Sequence, residues 1–165
     1  MDSVSGRGND FLMISWRIVL WRGLGGGLAI LAMHFLAGYG HTPLMLVPFA
    51  TSIVLVLGAP EAEPAQPRAL VGGHIISTLV GLGVSYAFGP SPWVAATAVG
   101  LAMVAMYFAR AFHPPAGIDP LIIVNESLTW PFLFTTVLPG SLLLLLFAFF
   151  WHNAPQRGAW PAHWR

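Results

Sequence analysis

The side chains best suited to binding a small anion lie around two adjacent prolines in the second half of the chain. Proline has no N–H to donate and suits the first turn of a helix, so a helix is expected to begin there. The free N–H groups of a helix start carry a partial positive charge, which an arginine and a histidine just before the prolines would reinforce. The pattern therefore predicts an anion site, with Arg110, His113, Pro114, Pro115, Ala116 and Gly117 as its binding residues.

A similar helix start, with a histidine before a proline, occurs in the first half of the chain, and we call each of the two a corner. His41 and Thr42 precede Pro43 at the start of another apolar segment, although no arginine stands beside them. Thr51 and Ser52 lie in the middle of that segment and could donate hydroxyl groups. Two helix starts meeting inside a membrane, with neutral donors between them, would stabilise a desolvated anion without holding it too tightly. The alternative is that each histidine only caps its helix.

Three further ionisable residues are candidates for coupling or gating, because ionisable groups at membrane depth are costly. Asp119 follows the two prolines on the predicted helix and could pair with Arg110, bind a coupling proton or repel an anion. His74 lies near the start of a long apolar segment, where a structural hydrogen bond is favoured over a proton relay. Glu126 lies at the end of the segment that contains Asp119.

Catalytic and metal-binding motifs are absent from the sequence. It has no nucleophile elbow, phosphate loop, HExxH motif or carboxylate pair, and it has no cysteine. The histidines outside the two corners show no metal-ligand spacing. We therefore expect no enzyme, no metal and no cofactor. A formal net charge of +1 also gives no reason to expect a nucleic-acid partner.

The elements that must position these residues are membrane helices. Of the 165 residues, 56% are hydrophobic and only 8% are charged, so the chain cannot cover itself with a polar surface. Long apolar stretches cover about 16–38, 69–89, 93–112 and 131–151, each long enough to cross about 30 Å of hydrocarbon. Tryptophans lie at or near their ends, as expected at the headgroup level. Two shorter apolar segments cover about 43–57 and 116–127.

The order of long, short and long segments occurs twice, with a His-x-Pro tripeptide before each short one. If both short segments cross the membrane, all seven arginines fall on one side, as expected of cytoplasmic flanks. If both turn back, or only the first crosses, the arginines divide five to two. We therefore predict a single all-α polytopic membrane bundle of two inverted three-segment repeats, 16–89 and 92–152, with tails 1–15 and 153–165. The alternative is four full spans plus two re-entrant segments.

Inverted repeats with short or broken helices at matching positions are typical of transporters. Small residues also recur at every fourth position in two of the long segments, and such stripes let helices approach closely in lipid. We expect them to pack within one protomer, with a dimer interface as the minor alternative. The stripes are Gly73, Ser77, Gly81, Ser85 and Gly89, and Gly23 and Gly27.

Several motifs, taken in order, resemble those of the HPP family of integral membrane proteins. They are Gly58-Ala59-Pro60, Ala65-Gln66-Pro67-Arg68, Gly72-Gly73-His74 and His113-Pro114-Pro115-Ala116-Gly117. The resemblance implies a compact membrane domain, and members from plastids and cyanobacteria are described as nitrite transporters. Family members usually continue after His-Pro-Pro with Gly-Gly-Ala-Thr-Ala, whereas this chain has Asp119 and Pro120 at the last two of those positions. The usual Asn after Pro-Arg is Ala69.

These observations favour a transporter or channel-like facilitator of a small inorganic anion, nitrite first. The alternatives are a non-transporting membrane subunit or sensor and, third, a membrane-embedded enzyme. All basic residues are arginine, which is typical of a GC-rich bacterial genome, so we expect the inner membrane of a bacterium. The expected partners are the anion, the lipid bilayer and a second copy of the chain.

Overall fold

This computed structural model describes residues 15–40, 46–154 and 159–163, and within these ranges all regular secondary structure is helical. The predicted all-α class is therefore confirmed. Two 3₁₀ turns, Glu63–Ala65 and Pro114–Gly117, and a π-helical turn, Leu133–Val137, accompany the α-helices. The helices are α1 (Trp16–Gly40), α2 (Leu46–Gly58), α3 (Pro67–Phe88), α4 (Pro92–Phe108), α5 (Ile118–Asn125) and α6 (Leu138–Asn153).

Three of the four long stretches form helices long and apolar enough to cross a membrane: Trp16–Gly38, Pro67–Phe88 and Leu133–Asn153. The fourth prediction is corrected. α4 has 17 residues, about 25 Å of helix, and ends at Phe108 instead of near residue 112.

α4 ends early because Arg110 takes a left-handed backbone conformation, with φ of 53°. The N–H of Arg110 donates to Tyr107 O at 3.0 Å, and the N–H of Ala111 donates to Met106 O at 2.9 Å. These two bonds form a Schellman motif, which closes a helix and is usually built on glycine. Arg110 therefore lies beyond the end of α4 and not inside a helix that continues through the predicted stretch 93–112.

One end of the bundle collects the arginines of the described helices, and we call it the arginine end. The Arg22 guanidinium, near the start of α1, donates to Gly58 O at 2.7 Å and pairs with Glu61 at 3.0 Å, beyond the end of α2. Arg68, at the start of α3, donates to Ala109 O at 2.7 Å. The starts of α1 and α3 thus lie beside the ends of α2 and α4.

The segment after His113 runs away from the arginine end, parallel to α3. A Cβ on Gly73 would lie 2.6 Å from His113 Cβ, and one on Gly81 would lie 2.8 Å from Pro120 Cα. Between them, Ser77 Oγ donates to Ala116 O at 2.6 Å. Gly73, Ser77 and Gly81 therefore pack within the protomer, as predicted, whereas a Cβ on Gly89, also in the predicted stripe, would have nothing within 4 Å.

The final helix returns to the arginine end. It begins in a cluster with Leu82 of α3, and near its end His152 Nε2 lies 3.0 Å from Val56 O of α2. α1 packs on this part of the bundle through Gly25, where a Cβ would clash with the Trp151 ring. Gly23 and Gly27 have nothing within 4 Å of such a Cβ, so their predicted packing inside the protomer is wrong.

The surface of the described bundle is apolar, and several polar side chains are inside. Leu20, Val54 and Phe134 are among many large hydrophobic residues that are exposed, whereas His74 and Asp119 are fully buried. In water this distribution would be strongly unfavourable. It suits a bundle surrounded by hydrocarbon, where polar groups must find partners inside the protein.

Candidate functional site

Four polar side chains form a continuous line of contacts in the middle of the bundle. His113 Nε2 lies 2.9 Å from Ser52 Oγ, which lies 2.9 Å from His74 Nε2. His74 Nδ1 in turn lies 2.9 Å from Asp119 Oδ2. All four side chains are fully buried. We call His113, Ser52, His74 and Asp119 the polar chain.

Both ends of the polar chain are held by groups of known hydrogen-bond type. His113 Nδ1 lies 2.7 Å from Pro64 O, which can only accept, so this nitrogen carries a hydrogen. At the other end Thr78 Oγ1 donates to Asp119 Oδ2 at 3.2 Å. Asp119 Oδ1 is buried and has no hydrogen-bond partner. The carboxyl group is thus only partly satisfied.

The local sequence explains how these groups meet. Ser52 lies on the buried face of α2, one turn after Phe49, whose ring packs 4.6 Å from that of His74. The glycine at position 73 leaves room for His113, because any larger side chain would overlap it. Pro115 and its neighbours bring the chain back into the bundle, and the next helix turn places Asp119 beside α3.

The structure brings four of the predicted site and coupling residues into the polar chain and leaves three others away from it. Arg110, Thr51 and Glu126 are exposed and do not contact the polar chain. The pairing of Asp119 with Arg110 considered from the sequence is not formed, because Asp119 is bonded to α3 instead. The proposed corner at His41 lies outside the described residues.

The predicted cluster of free N–H groups at the second helix start is largely missing. Pro114 and Pro115 have none to offer, and the N–H of Ala116 donates to His113 O at 3.0 Å. Gly117 follows inside the same 3₁₀ turn, and the N–H of Ile118 points to the carbonyls of Pro115 and Ala116. The donors available near this corner are therefore side chains. The matching helix tip before Leu46 lies outside the described residues.

A pocket of about 310 Å³ opens at the arginine end, next to the polar chain. Arg68 and Arg110 line it together with Phe112, and Glu63 adds a carboxylate to the same wall. Pro64 also lines it, and this is the residue whose carbonyl faces His113. We call it the arginine pocket. Pro64 therefore stands between this positively charged pocket and His113, the first member of the polar chain.

The Ser52, His74 and Asp119 contacts have the order and distances of a serine-hydrolase triad. Ser52, however, is also bonded to a second histidine, His113, and its hydroxyl is fully buried. Within the described residues no group of three His, Asp or Glu side chains has the geometry of a metal site. What the contacts allow directly is the movement of hydrogens along a line of donors and acceptors.

Sequence reasoning named every member of the polar chain but did not connect them, and it missed Thr78 altogether. A signal was available in α3. Ser77 and Thr78 lie three and four residues after His74, which places all three polar side chains on neighbouring positions of one helix face. A polar face on an apolar helix indicates contact with another polar element inside the bundle.

An all-helical bundle with an apolar surface and a buried polar interior defines a multi-pass membrane protein. Residues 12–161 match the family described as HPP, transmembrane region, and the chain belongs to this family. The match includes all four members of the polar chain.

Two similar proteins are transmembrane proteins of Dictyostelium discoideum. One is 37% identical over 132 residues, which cover 75% of this chain and 42% of that protein. The other is 30% identical over 165 residues, which cover 94% of this chain and 57% of that protein. The chain thus spans about half the length of these relatives. No solved structure matches it.

Proposed function

We propose that this protein is a transporter or channel-like facilitator of a small inorganic anion, with nitrite as the first substrate in view of the family resemblance. The observation that carries the proposal is a buried line of polar side chains that starts beside a pocket containing Arg68 and Arg110. Intramembrane polar groups are expensive and are typical of ion and substrate pathways. An entrance with two arginines attracts anions and repels cations.

The polar chain offers donors that suit a small anion that has lost its water. An anion that enters between Ser52 and His113 would meet the Ser52 hydroxyl group. It would also meet an N–H of His113 when Nε2 carries a hydrogen in addition to the one that Nδ1 donates to Pro64 O. The hydroxyl donor is neutral, and the second N–H of His113 is present only when this histidine has taken up a proton, so binding is favourable without being as tight as in a permanent arginine clamp. Nitrite has two acceptor oxygens and fits such a set of donors.

Nitrite uptake into liposomes that contain the pure protein tests this proposal. We expect uptake above that of empty liposomes, a large loss in His113→Ala and a smaller loss in Arg110→Ala. His152→Ala is the matched control, because His152 is also a buried histidine that contacts a backbone carbonyl but lies outside the polar chain. Absence of flux above empty liposomes would refute the proposal and favour a non-transporting subunit or sensor.

We further propose that the two halves of the chain are inverted repeats, with both short segments crossing the bundle. The helix directions support this, because the starts of α1 and α3 lie with the ends of α2 and α4 at the arginine end. Cysteine labelling from each side of the membrane, at positions next to Pro60 and Glu126, tests it in this naturally cysteine-free chain. Opposite sides are expected, and labelling from one side only would refute the arrangement.

The setting we propose is the inner membrane of a bacterium, with two protomers assembled in the lipid. The open space around Gly23 and Gly27 on the outer face of α1 is compatible with close approach of a second helix. Crosslinking in native membranes through cysteines at these two glycines tests the dimer. Crosslinks only at random collision levels would refute it.

Hydrolysis is a second candidate, favoured only by the triad-like distances from Ser52 to His74 and from His74 to Asp119. A fluorophosphonate probe labels an activated serine and would separate the two functions. We expect no labelling, because the Ser52 hydroxyl is buried and shared between two histidines. Labelling that disappears in Ser52→Ala would favour the hydrolase.

A further inference from the structure

The polar chain has four contacts that each need one hydrogen between two heavy atoms. They join Pro64 O to His113, His113 to Ser52, Ser52 to His74, and His74 to Asp119. A neutral histidine supplies one hydrogen, a serine supplies one, and an ionised carboxylate supplies none. Two neutral histidines, one serine and ionised Asp119 therefore supply three hydrogens for four contacts. One contact would then bring two lone pairs together.

One additional proton provides a hydrogen for each of the four contacts. Asp119 then donates to His74 Nδ1, and His74 Nε2 donates to Ser52 Oγ. Ser52 donates to His113 Nε2, and His113 Nδ1 donates to Pro64 O. All four groups are neutral in this arrangement, which costs least in a bundle surrounded by lipid. It also leaves the unpartnered Asp119 Oδ1 on a neutral acid rather than on a carboxylate.

The added proton can move without loss of any contact. When Asp119 gives it to His74 Nδ1, the pair becomes an imidazolium and a carboxylate, and the number of hydrogens is unchanged. Transfer from His74 Nε2 to Ser52, with the serine hydrogen passing to His113 Nε2, then moves the charge to His113. The Pro64 carbonyl that faces His113 lines the arginine pocket, so this end of the polar chain is next to the opening.

We propose that the polar chain is a binding site for one proton, and that this proton crosses the membrane together with the anion. The second part rests on the proposed function. Loss of the proton leaves one of the four contacts without a hydrogen. Because ionised Asp119 keeps the hydrogen on His74 Nδ1, the contact left without one is that of Ser52 with one of its two histidines, and this contact opens. An anion bound between Ser52 and a histidine needs hydrogen-bond donors that face it. The added proton supplies such a donor, so binding of the anion and binding of the proton favour each other.

Within the described residues, no other titratable side chain is bonded to the polar chain. α2 contains no titratable residue, and α4 contributes only Tyr107, which is exposed. The 3₁₀ turn before α3 contributes Glu63, and α3 adds Arg68 at its start and Tyr86 near its end, all exposed. The titratable side chains that the structure describes in α1 and α6 are Arg17, Arg22, His34 and His152, and none of these four contacts the polar chain.

The first experiment measures whether nitrite uptake moves charge. One nitrite and one proton together carry no net charge, so initial uptake into proteoliposomes should be the same at inside-positive and inside-negative potentials set with potassium and valinomycin. An inward proton gradient should accelerate it. Empty liposomes give the background of nitrous acid that crosses the lipid unaided. Uptake that is driven by an inside-positive potential and ignores the proton gradient would overturn the coupling and leave the proposed function intact.

The second experiment uses Asp119→Asn. The amide can donate to His74 in place of the protonated carboxyl group, but it cannot release the proton. We expect exchange of labelled nitrite between equal concentrations to persist, while uptake driven by a proton gradient falls at least tenfold. Glu126→Gln is the control, because Glu126 is an exposed carboxylate just after the same helix. Unchanged gradient-driven uptake in Asp119→Asn would overturn the proposal.

A spectroscopic experiment tests the proton site even if no nitrite transport is found. At neutral pH the infrared spectrum of the wild-type protein should contain a band of either a protonated carboxylic acid or an imidazolium, and Asp119→Asn should remove it. Glu126→Gln should leave the band in place. A wild-type spectrum with neither band would overturn the proton site independently of any transport result.

Discussion

Ser52→Ala is the substitution that most directly tests whether the polar chain exists as described. It removes the contacts to His113 Nε2 and His74 Nε2, both at 2.9 Å, while the third contact of the hydroxyl group, to Pro48 O of the same helix, is longer at 3.4 Å. A net hydrogen bond contributes about 1 kcal/mol in soluble proteins, and side-chain bonds between membrane helices average about 0.6 kcal/mol. Two lost bonds, together with two imidazole nitrogens left buried without partners, should lower the free energy of unfolding by about 2–4 kcal/mol.

Ser141→Ala is the matched control. Ser141 is also fully buried in a membrane helix, but its hydroxyl donates to Leu138 O of its own helix at 3.1 Å, and its loss should cost less than about 1 kcal/mol. Reversible unfolding in mixed detergent micelles, followed by the fluorescence of the seven tryptophans, measures both variants. In Ser52→Ala/His113→Ala the two losses should not add, because the contact between these residues can be lost only once. Equal destabilisation by Ser52→Ala and Ser141→Ala would refute the reasoning.

Two further predictions concern the packing of α3 and the entrance to the site. Gly73→Ala should destabilise the protein by about 1–3 kcal/mol, because the added Cβ would overlap His113. Gly83→Ala is the control and should have no such effect, because a Cβ there has nothing within 4 Å. Thermal unfolding in detergent compares the two variants. Arg110→Gln should raise the KM for nitrite about fivefold at low ionic strength, with the effect shrinking as salt is added and Arg110→Lys close to wild type. A KM that does not depend on salt in either protein would argue against an electrostatic role for the arginine pocket.

The membrane helices were largely predictable from hydropathy, because the lengths of apolar stretches in lipid are set by the bilayer. The end of α4 was not. The apolar run continues to Phe112, and only the left-handed backbone at Arg110 closes the helix. A glycine there would have indicated the motif, but an arginine does not.

The members of the polar chain were visible in the sequence, but their contacts were not. Ser52 and His113 are 61 residues apart, and no local pattern determines which distant helices pack together. The choice between Thr51 and Ser52 could have been made from periodicity. The buried positions of α2 have the spacing of one helical face, and Thr51 falls outside it; they are Pro48, Phe49, Ser52, Ile53, Val56 and Leu57.

The departure of this chain from the usual family pattern bears directly on the proton. The pattern Gly-Gly-Ala-Thr-Ala places a threonine at the position of Asp119, and a threonine hydroxyl brings its own hydrogen. With threonine there, two neutral histidines and two hydroxyl groups would supply four hydrogens for the four contacts, and no additional proton would be needed.

Asp119→Thr should therefore keep one hydrogen in each contact of the polar chain while it removes the carboxyl group that binds the proton. We expect this variant to fold, and to transport nitrite with uptake that now increases at inside-positive potential, because the anion crosses without a proton. The voltage dependence of uptake in proteoliposomes measures this, with the wild-type protein as the electroneutral reference. If Asp119→Thr transports nitrite and remains insensitive to voltage, the transported proton does not depend on Asp119, and the assignment of the proton to this residue is refuted.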